Sequence, residues 1–246
     1  MEGARSRGEM VKAFLTTPPE IEERTEDFVK RLIEGEGVKG VGGFSLVCGE
    51  VGEPLAVVSN RTPDVDGVTW IAKKTGETVG LSNAAYGDRS WPKVVHGEKL
   101  MEKAISESAK SYEGKHKLID RLFEILRTDT LPKREGMEVW ESYVRQLRNS
   151  IFVPAIGGEG MDGMSADTVA AANRDTKAEV VEHLDKTRQK LGTTGVYGTQ
   201  KQTIVLVDHG GVMTLVERSL YDDKGYPIAV GQGDRHFEFQ LPESDL

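Results

Sequence analysis

The sequence predicts an α+β fold in which most strands pair antiparallel. Apolar residues at helical spacing and strand-like runs occupy separate stretches, in the order helix, hairpin, helices, hairpin. Within each strand-like pair a short turn joins the two runs, and such short connections link antiparallel strands. Hydrophobic residues make up 37% of the 246 residues, which is enough for a core that buries most apolar side chains.

The first clear helix is predicted to begin at Thr17. Thr17 can cap the helix, Pro18 suits its first position, and Glu20 completes a capping box. Glycines between Gly35 and Gly43 are expected to end this helix and open a turn. Its apolar face is predicted to consist of Ile21, Phe28, Val29 and Leu32.

A hairpin is predicted after these glycines. Its strands are Phe44–Cys48 and Leu55–Ser59, and Val68–Ala72 and Thr78–Leu81 are expected to add short strands. Cys48 alternates with apolar neighbours, so we expect a buried cysteine that behaves as a small hydrophobic residue.

The middle of the chain predicts three helices and an insertion. Ser90-Trp91-Pro92 opens the first helix, because proline is favoured in a first turn. Residues 154–195 predict a glycine-rich loop followed by a charged, variable helical insertion. The apolar positions of the three helices are Val94, Met101 and Ile105, then Leu118, Leu122 and Leu126, then Trp140, Tyr143, Val144 and Leu147.

The last third predicts β-structure. Thr203–Asp208 and Val212–Leu220 form a hairpin whose turn contains His209-Gly210-Gly211. Ile204-Val205-Leu206-Val207 is continuously apolar, which favours a strand covered on both faces. In the final strand Phe237 and Phe239 alternate with polar residues, so one of its faces should be wet.

Composition and charge exclude several functions. The formal net charge is −8, with 40 acidic and 32 basic residues, which argues against a nucleic-acid-binding protein. No run approaches 18 apolar residues, and the first residues lack the apolar region of a signal peptide. Cys48 is the only cysteine and no two histidines are four residues apart, so we expect neither a disulfide nor a metal site, and a reducing, cytoplasmic environment.

Polar residues near the ends of predicted strands form a candidate pocket. Side chains at strand ends can project into the mouth of a binding site. The alternative is structural: Ser82 and Asn83 could cap a turn, and Arg218 could pair with a nearby acid. The candidate pocket residues are Ser82, Asn83, Trp91, Tyr197, Thr199 and Arg218.

Six motifs, in order from Arg5 to Leu241, resemble those of the transport and Golgi organisation protein 2 family, also called the NRDE family. Each motif alone has low specificity, and their shared order carries the resemblance. The matching segments are Arg5–Leu15, Phe44–Val47, Ser59-Asn60-Arg61, Gly80-Leu81-Ser82-Asn83 with Trp91-Pro92-Lys93, Tyr197–Asp208, and Glu217-Arg218-Ser219 with Phe237-Glu238-Phe239.

The chain departs from the family at its beginning. Family members start with Met-Cys and carry N-R-D-E and T-W-L-G segments, none of which occurs here in its place. We therefore expect one NRDE-family domain over residues 1–246 that lacks its N-terminal strands. Such a sheet would have an unpaired edge or an uncovered apolar face, and either predicts self-association.

The resemblance implies an αββα sandwich resembling the N-terminal nucleophile hydrolases, incomplete at the N-terminus. In those enzymes an N-terminal Cys, Ser or Thr attacks an amide. Ser82-Asn83 is similar to a loop that holds the oxyanion in one branch, so Asn83 is the implied oxyanion residue. Met1-Glu2 supplies no such nucleophile, and we expect no catalytic residue in this chain.

Three functions follow as hypotheses. The resemblance implies a role in Golgi organisation and protein secretion, through binding a haem, acyl-coenzyme A or lipid ligand, in a cytoplasmic protein associated with the Golgi or with mitochondria. The alternative is an amidase or acyltransferase that uses an N-terminal cysteine in the full-length protein. A third hypothesis is an interaction module whose helix over residues 165–191 binds a partner.

Overall fold

The fold was analysed in a computed structural model, which describes residues 6–18, 21, 23–35, 38, 41, 43–132, 145–155, 197–222 and 226–242. The chain forms two compact units, residues 1–98 with 242–246 and residues 99–241. Both units contain helices and an antiparallel three-stranded sheet, which confirms the predicted α+β class.

The first unit has two helices followed by a three-stranded sheet whose last strand ends at Ile71. Its sheet has the order β1-β2-β3, and β1 pairs with β2 from Ser45 opposite Ser59 to Cys48 opposite Ala56. This register confirms the predicted hairpin. The elements are α1 (Gly8–Leu15), α2 (Thr25–Glu34), β1 (Ser45–Cys48), β2 (Leu55–Ser59) and β3 (Thr69–Ile71).

The core of the first unit lies between α2 and one face of this sheet. Phe28 and Val29 are each 1% exposed, and they pack in one cluster with Ala56 and Val58, both 0% exposed. Residues two apart on a strand share a face, so Cys48, Ala56 and Val58 meet the helix together. Burial of each large apolar side chain stabilises the fold by about 1.5–3 kcal/mol.

The helix predicted to begin at Thr17 begins at Thr25 instead. Thr17 belongs to the end of α1, because its hydroxyl donates to the Ala13 carbonyl at 3.1 Å. Ile21 is 57% exposed, whereas Phe28, Val29 and Leu32 are buried as predicted. Gly35 ends α2, also as predicted.

The segment after β3 differs from its prediction. Residues 69–71 form β3 within the predicted Val68–Ala72, but Thr78–Leu81 forms no strand. Helix α3 (Pro92–Lys110) starts where Ser90-Trp91-Pro92 predicted it. Its buried residues are Ala104 and Ser108, while Met101 and Ile105 are 36% and 49% exposed. The predicted apolar face of α3 is therefore wrong.

The second unit contains helix α4, a short 3₁₀ turn and a second sheet. Its sheet has the order β4-β5-β6, with both pairs antiparallel. Ile119, Leu122 and Phe123 of α4 pack with Ile204 and Val216 to form its core. The elements are α4 (Lys115–Leu126), the 3₁₀ turn (Leu147–Asn149), β4 (Lys201–Val207), β5 (Val212–Ser219) and β6 (Asp234–Gln240).

The prediction that β4 is covered on both faces is wrong, and the exposed face of β6 is the one that carries its phenylalanines. Among the described residues β4 is an edge strand, and Val205 and Val207 are 51% and 37% exposed, so β4 is not covered on both faces. In β6, Phe237 and Phe239 are 46% and 53% exposed. The alternate residues of β6 face α4, because Lys115 donates to Glu238.

Two predicted segments lie largely outside the described residues. They are the third helix, apart from Leu147 in the 3₁₀ turn, and the insertion at 154–195, apart from Pro154 and Ala155. Across the part of the chain that is described, no helix combines the length and apolarity needed to cross a bilayer.

Candidate functional site

A cleft of about 560 Å³ opens in the first unit. It is bounded by α1, by the start of β1, by the end of β2 and by the loop at residues 81–85. Its apolar lining residues include Met10, Phe44, Leu46 and Leu81, and its polar lining residues include Ser82 and Asn83. A cleft with a wide apolar wall and a few polar groups is the usual form of a small-molecule site.

A tight turn shapes the floor of this cleft at the end of β2. The Ser59 backbone N–H donates to the Thr62 hydroxyl at 3.0 Å, and the Arg61 N–H donates to the Ser59 hydroxyl at 3.1 Å. The Phe44 N–H donates to the Asn60 side-chain carbonyl at 3.4 Å. Short polar side chains that accept from nearby backbone groups favour such turns, and here they fix Arg61 beside the cleft.

Glu98 of α3 anchors the loop that carries Ser82 and Asn83. Its carboxylate accepts from the Gly80 N–H at 3.0 Å and pairs with the Arg89 guanidinium at 2.7 Å. The two ends of the loop are thus held by one side chain that is only 14% exposed. A Cβ at position 80 would lie 3.0 Å from Val94 and 3.2 Å from Glu98, so glycine permits this close approach.

Two arginines that the candidate set did not include also line the cleft. They are Arg7, immediately before α1, and Arg61, immediately after β2. Both belong to segments that resemble family motifs, and Arg61 also lies near the end of the predicted strand Leu55–Ser59, so the sequence contained a signal for Arg61. Within the described residues neither guanidinium forms an ion pair or side-chain hydrogen bond.

Trp91 and Lys93 lie at the start of α3 in the same unit. Trp91 is half-buried and is not part of the cleft lining. The Lys93 ammonium lies 5.3 Å from the centre of the Trp91 ring, which is a cation–π distance. Burial lowers the pKa of Lys93, because desolvation disfavours the charged ammonium.

Tyr197 and Thr199 belong to the second unit, where Thr199 holds a buried segment. The Thr199 N–H donates to the Val153 carbonyl at 2.8 Å, and the Val153 N–H donates back to the Thr199 hydroxyl at 3.0 Å. A Cβ at Gly198 would lie 3.0 Å from the Pro154 carbonyl. Tyr197 is 50% exposed. Gly198 and Thr199 therefore make structural contacts in this unit, and a ligand role for Tyr197 and Thr199 stays a prediction.

Arg218, also in the second unit, is held by an acid and an aromatic ring. Its guanidinium donates to both carboxylate oxygens of Asp234, at 2.8 Å for the closest pair. The same group lies 3.7 Å from the centre of the Phe123 ring. This pairing matches the structural alternative considered for Arg218, and a ligand role for Arg218 stays a prediction.

Cys48 is buried, as predicted, at 6% exposure. Burial raises the pKa of its thiol from 9.0 to about 11. A thiol with a raised pKa is mostly protonated near neutral pH and is a poor nucleophile.

Comparison with known proteins identifies the family. A sequence profile of the family described as "Transport and Golgi organisation 2" matches residues 1–222. A mouse (Mus musculus) protein named "Transport and Golgi organization 2 homolog" is 26% identical over 226 residues, which cover 89% of this chain and 63% of that protein. No solved structure matches the chain.

The matched region includes the whole cleft and both sheets apart from β6. This chain belongs to the Transport and Golgi organisation 2 family.

Proposed function

We propose that this chain acts in Golgi organisation and protein secretion by binding a small amphipathic ligand in the cleft of its first unit. The observation that carries the proposal is the cleft itself, about 560 Å³ and lined by both apolar and polar side chains. The names of the family and of the mouse relative, which refer to transport and Golgi organisation, support the cellular role. The cytoplasmic location and the association with the Golgi or mitochondria belong to this proposal.

Among the ligand classes that the resemblance implies, the cleft favours an acyl-coenzyme A or another lipid over haem. Met10, Phe44, Leu46 and Leu81 offer an apolar wall that suits an acyl chain. Haem iron takes His, Cys, Met or Tyr as protein ligands. Of these types the described lining contains only Met10, whose side chain is 5% exposed. Because Met10 is buried in the core, the described lining offers haem no exposed ligand of these types.

Calorimetric titration tests this proposal. We expect palmitoyl-coenzyme A to bind one site per chain, and haemin to bind more weakly. The variant Ala84→Trp should abolish binding because Ala84 lines the cleft and a tryptophan would fill it. The matched control is Ala109→Trp at the exposed end of α3, which does not line the cleft. Equal loss in both variants, or no binding by the unmodified chain, would contradict the proposal.

The candidate set extends beyond the cleft as a prediction. Ser82 and Asn83 are proposed to contact ligand, and Trp91 is proposed to contribute from the start of α3. Tyr197, Thr199 and Arg218 of the second unit are also proposed to contact a ligand. Alanine substitution of each, with ligand affinity and thermal stability measured side by side, separates binding from structural roles.

The alternative proposal is an amidase or acyltransferase that uses an N-terminal cysteine in the full-length protein. Asn83, the implied oxyanion residue, lines the cleft, which supports this alternative. Cys48 does not suit the role of nucleophile, because burial raises the pKa of its thiol to about 11. The chain covers 63% of its mouse relative, so the test uses the full-length protein. Release of free coenzyme A from acyl-coenzyme A, lost on substitution of an N-terminal cysteine, would support this alternative.

We further propose that the chain self-associates through the open face of the second sheet. Val205, Val207, Phe237 and Phe239 share this face and are 37–53% exposed. The Phe237 and Phe239 rings stack with centres 6.4 Å apart, giving a continuous apolar patch. Sedimentation analysis should show a concentration-dependent dimer that Phe237→Lys disrupts. A monomer at every concentration would contradict this proposal.

A further inference from the structure

We propose that Arg7 and Arg61 form an anion subsite of the cleft, which selects ligands that carry a carboxylate or phosphate next to an apolar body. This inference rests on the proposed ligand-binding function and specifies its ligand class. Arg7 precedes α1 and Arg61 follows β2, and the fold brings both residues to the same cleft.

The charge of the cleft is opposite to that of the chain. The sequence has 40 acidic and 32 basic residues, yet the described lining contains two arginines and no aspartate or glutamate. Guanidinium groups near a low-dielectric wall attract anions more strongly than the same groups in open water. The cleft is therefore a local positive region on an acidic protein.

Both arginines are available to a ligand. Other arginines of the first unit are engaged, since Arg31 pairs with Glu23 and Arg89 pairs with Glu98, each at 2.7 Å. Within the described residues Arg7 and Arg61 have no acidic partner. A guanidinium can bind the two oxygens of a carboxylate or phosphate at once, which gives geometric selectivity.

Neighbouring groups complete the subsite. The Ser82 hydroxyl and the Asn83 amide line the same cleft and can donate to an anion. Both lie on the loop that Glu98 holds at its two ends, so they are preorganised. The apolar side chains of Phe44 and Leu46 line the same cleft and would contact the ligand's apolar body.

The test compares four probes that share a ten-carbon chain: decyl phosphate, decanoate, decanol and decylammonium. Calorimetry below their micelle concentrations should show both anions binding at least about tenfold tighter than decanol, with decylammonium weakest. The tighter of the two anions identifies whether phosphate or carboxylate is preferred. The difference in affinity between the anions and decanol should decrease as NaCl rises from about 0.02 to about 0.5 M, because salt screens the guanidinium charges.

Arg7→Gln and Arg61→Gln should each weaken decyl phosphate binding about tenfold and leave decanol binding unchanged. The matched control is Arg24→Gln, which removes the same charge from an exposed arginine outside the cleft, 71% exposed and 3.9 Å from Glu26. Thermal unfolding of all three variants should match that of the unmodified chain, because both cleft arginines are exposed.

Two results would overturn the inference: equal affinity for decanol and the anions, or equal loss of anion binding in Arg24→Gln and the cleft variants. If decanol still binds in either case, the anion subsite is contradicted but the proposed ligand-binding function is not. Failure of every probe to bind would overturn the inference and the proposed function together.

Discussion

At the scale of single residues, a few polar contacts decide where the cleft's functional groups lie. Glu98 accepts from the Gly80 N–H and pairs with Arg89, and Asn60 accepts from the Phe44 N–H. These contacts join segments that are up to 18 residues apart in the sequence. The position of Ser82 and Asn83 consequently depends on a side chain that is not itself part of the cleft lining.

Substitution of Glu98 should loosen the loop without unfolding the unit. In Glu98→Ala the Gly80 N–H and the Arg89 guanidinium lose their acceptor, so decyl phosphate binding should weaken about threefold to tenfold. Glu102→Ala, one turn further along α3 and exposed, is the control. Amide exchange of residues 80–89 should accelerate only in Glu98→Ala. Unchanged exchange and affinity would contradict the anchoring role.

The burial of Cys48 predicts a pH-dependent thiol reactivity. Because the thiol pKa is raised from 9.0 to about 11, the folded chain should react slowly with iodoacetamide at pH 8 and quickly in denaturant. At a pH between these two pKa values the thiol is ionised in the unfolded chain but still protonated in the folded chain. The free energy of unfolding should therefore fall as pH rises above 9.0. Mass spectrometry of alkylated protein measures the rate. Equal rates in the folded and denatured chain would show the thiol to be exposed.

At the scale of elements, the hairpin of β4 and β5 depends on the turn after β4. One carboxylate oxygen of Asp208 accepts from the Gly210 N–H at 2.9 Å and the Val212 N–H at 3.0 Å. Gly211 has φ of 75°, which glycine adopts without strain. The predicted hairpin with its turn at His209-Gly210-Gly211 is confirmed.

Removal of the Asp208 carboxylate should destabilise this hairpin. Asp208→Ala leaves two turn N–H groups without their acceptor and should lower the free energy of unfolding by about 1–2 kcal/mol. His209→Ala in the same turn, where the side chain is exposed, should cost less than about 0.5 kcal/mol. Urea denaturation measures both values. Equal values would mean that the carboxylate does not stabilise the turn.

The sequence predicted most elements and the buried face of α2, but it did not predict which faces of β4, β6 and α3 are buried. Alternation in β4 and β6 shows which residues share a face, but it does not show which face a helix covers. In β6 the polar side faces α4, because Lys115 supplies a partner for Glu238. In α3 the small residues Ala104 and Ser108 are buried. The helical spacing of large apolar residues predicted Met101 and Ile105 instead, and both are exposed.

Only part of the candidate site could be predicted from the sequence, because the pairing of charged side chains depends on the fold. Ser82 and Asn83 follow a recognisable glycine-leucine pair, and both line the cleft. Arg7 and Arg61 precede α1 and follow β2, and nothing local in the sequence distinguishes a free arginine from a paired one. Pairing depends on which acids the fold brings near, as it does for Arg218 with Asp234.

At the scale of the whole molecule, ion pairs in both units link stability to pH. Hydrogen bonds from basic partners lower the pKa of four glutamates below the ordinary value of 4.5. The stabilisation from these pairs is complete above 4.5 and is lost as pH falls through the lower folded pKa values. The pairs are Glu23 with Arg31, Glu113 with Arg121, Glu217 with Lys201, and Glu238 with Lys115.

The urea midpoint should therefore be flat between pH 7 and pH 5 and should fall below 4.5, where the paired glutamates begin to protonate. Raising the NaCl concentration should reduce the size of this fall, because most of these pairs are partly exposed. A midpoint that stays constant from pH 7 to about pH 3 would contradict a stabilising role for the pairs.

Hydrogen–deuterium exchange with decyl phosphate shows whether the first unit's cleft binds an amphipathic anion. We expect slower exchange on binding in residues 43–46, 59–61 and 81–85, which line the cleft. We expect no change in residues 203–207 or 235–239 of the second sheet. Protection confined to the second sheet, or calorimetric binding with no protection around the cleft, would contradict the claim.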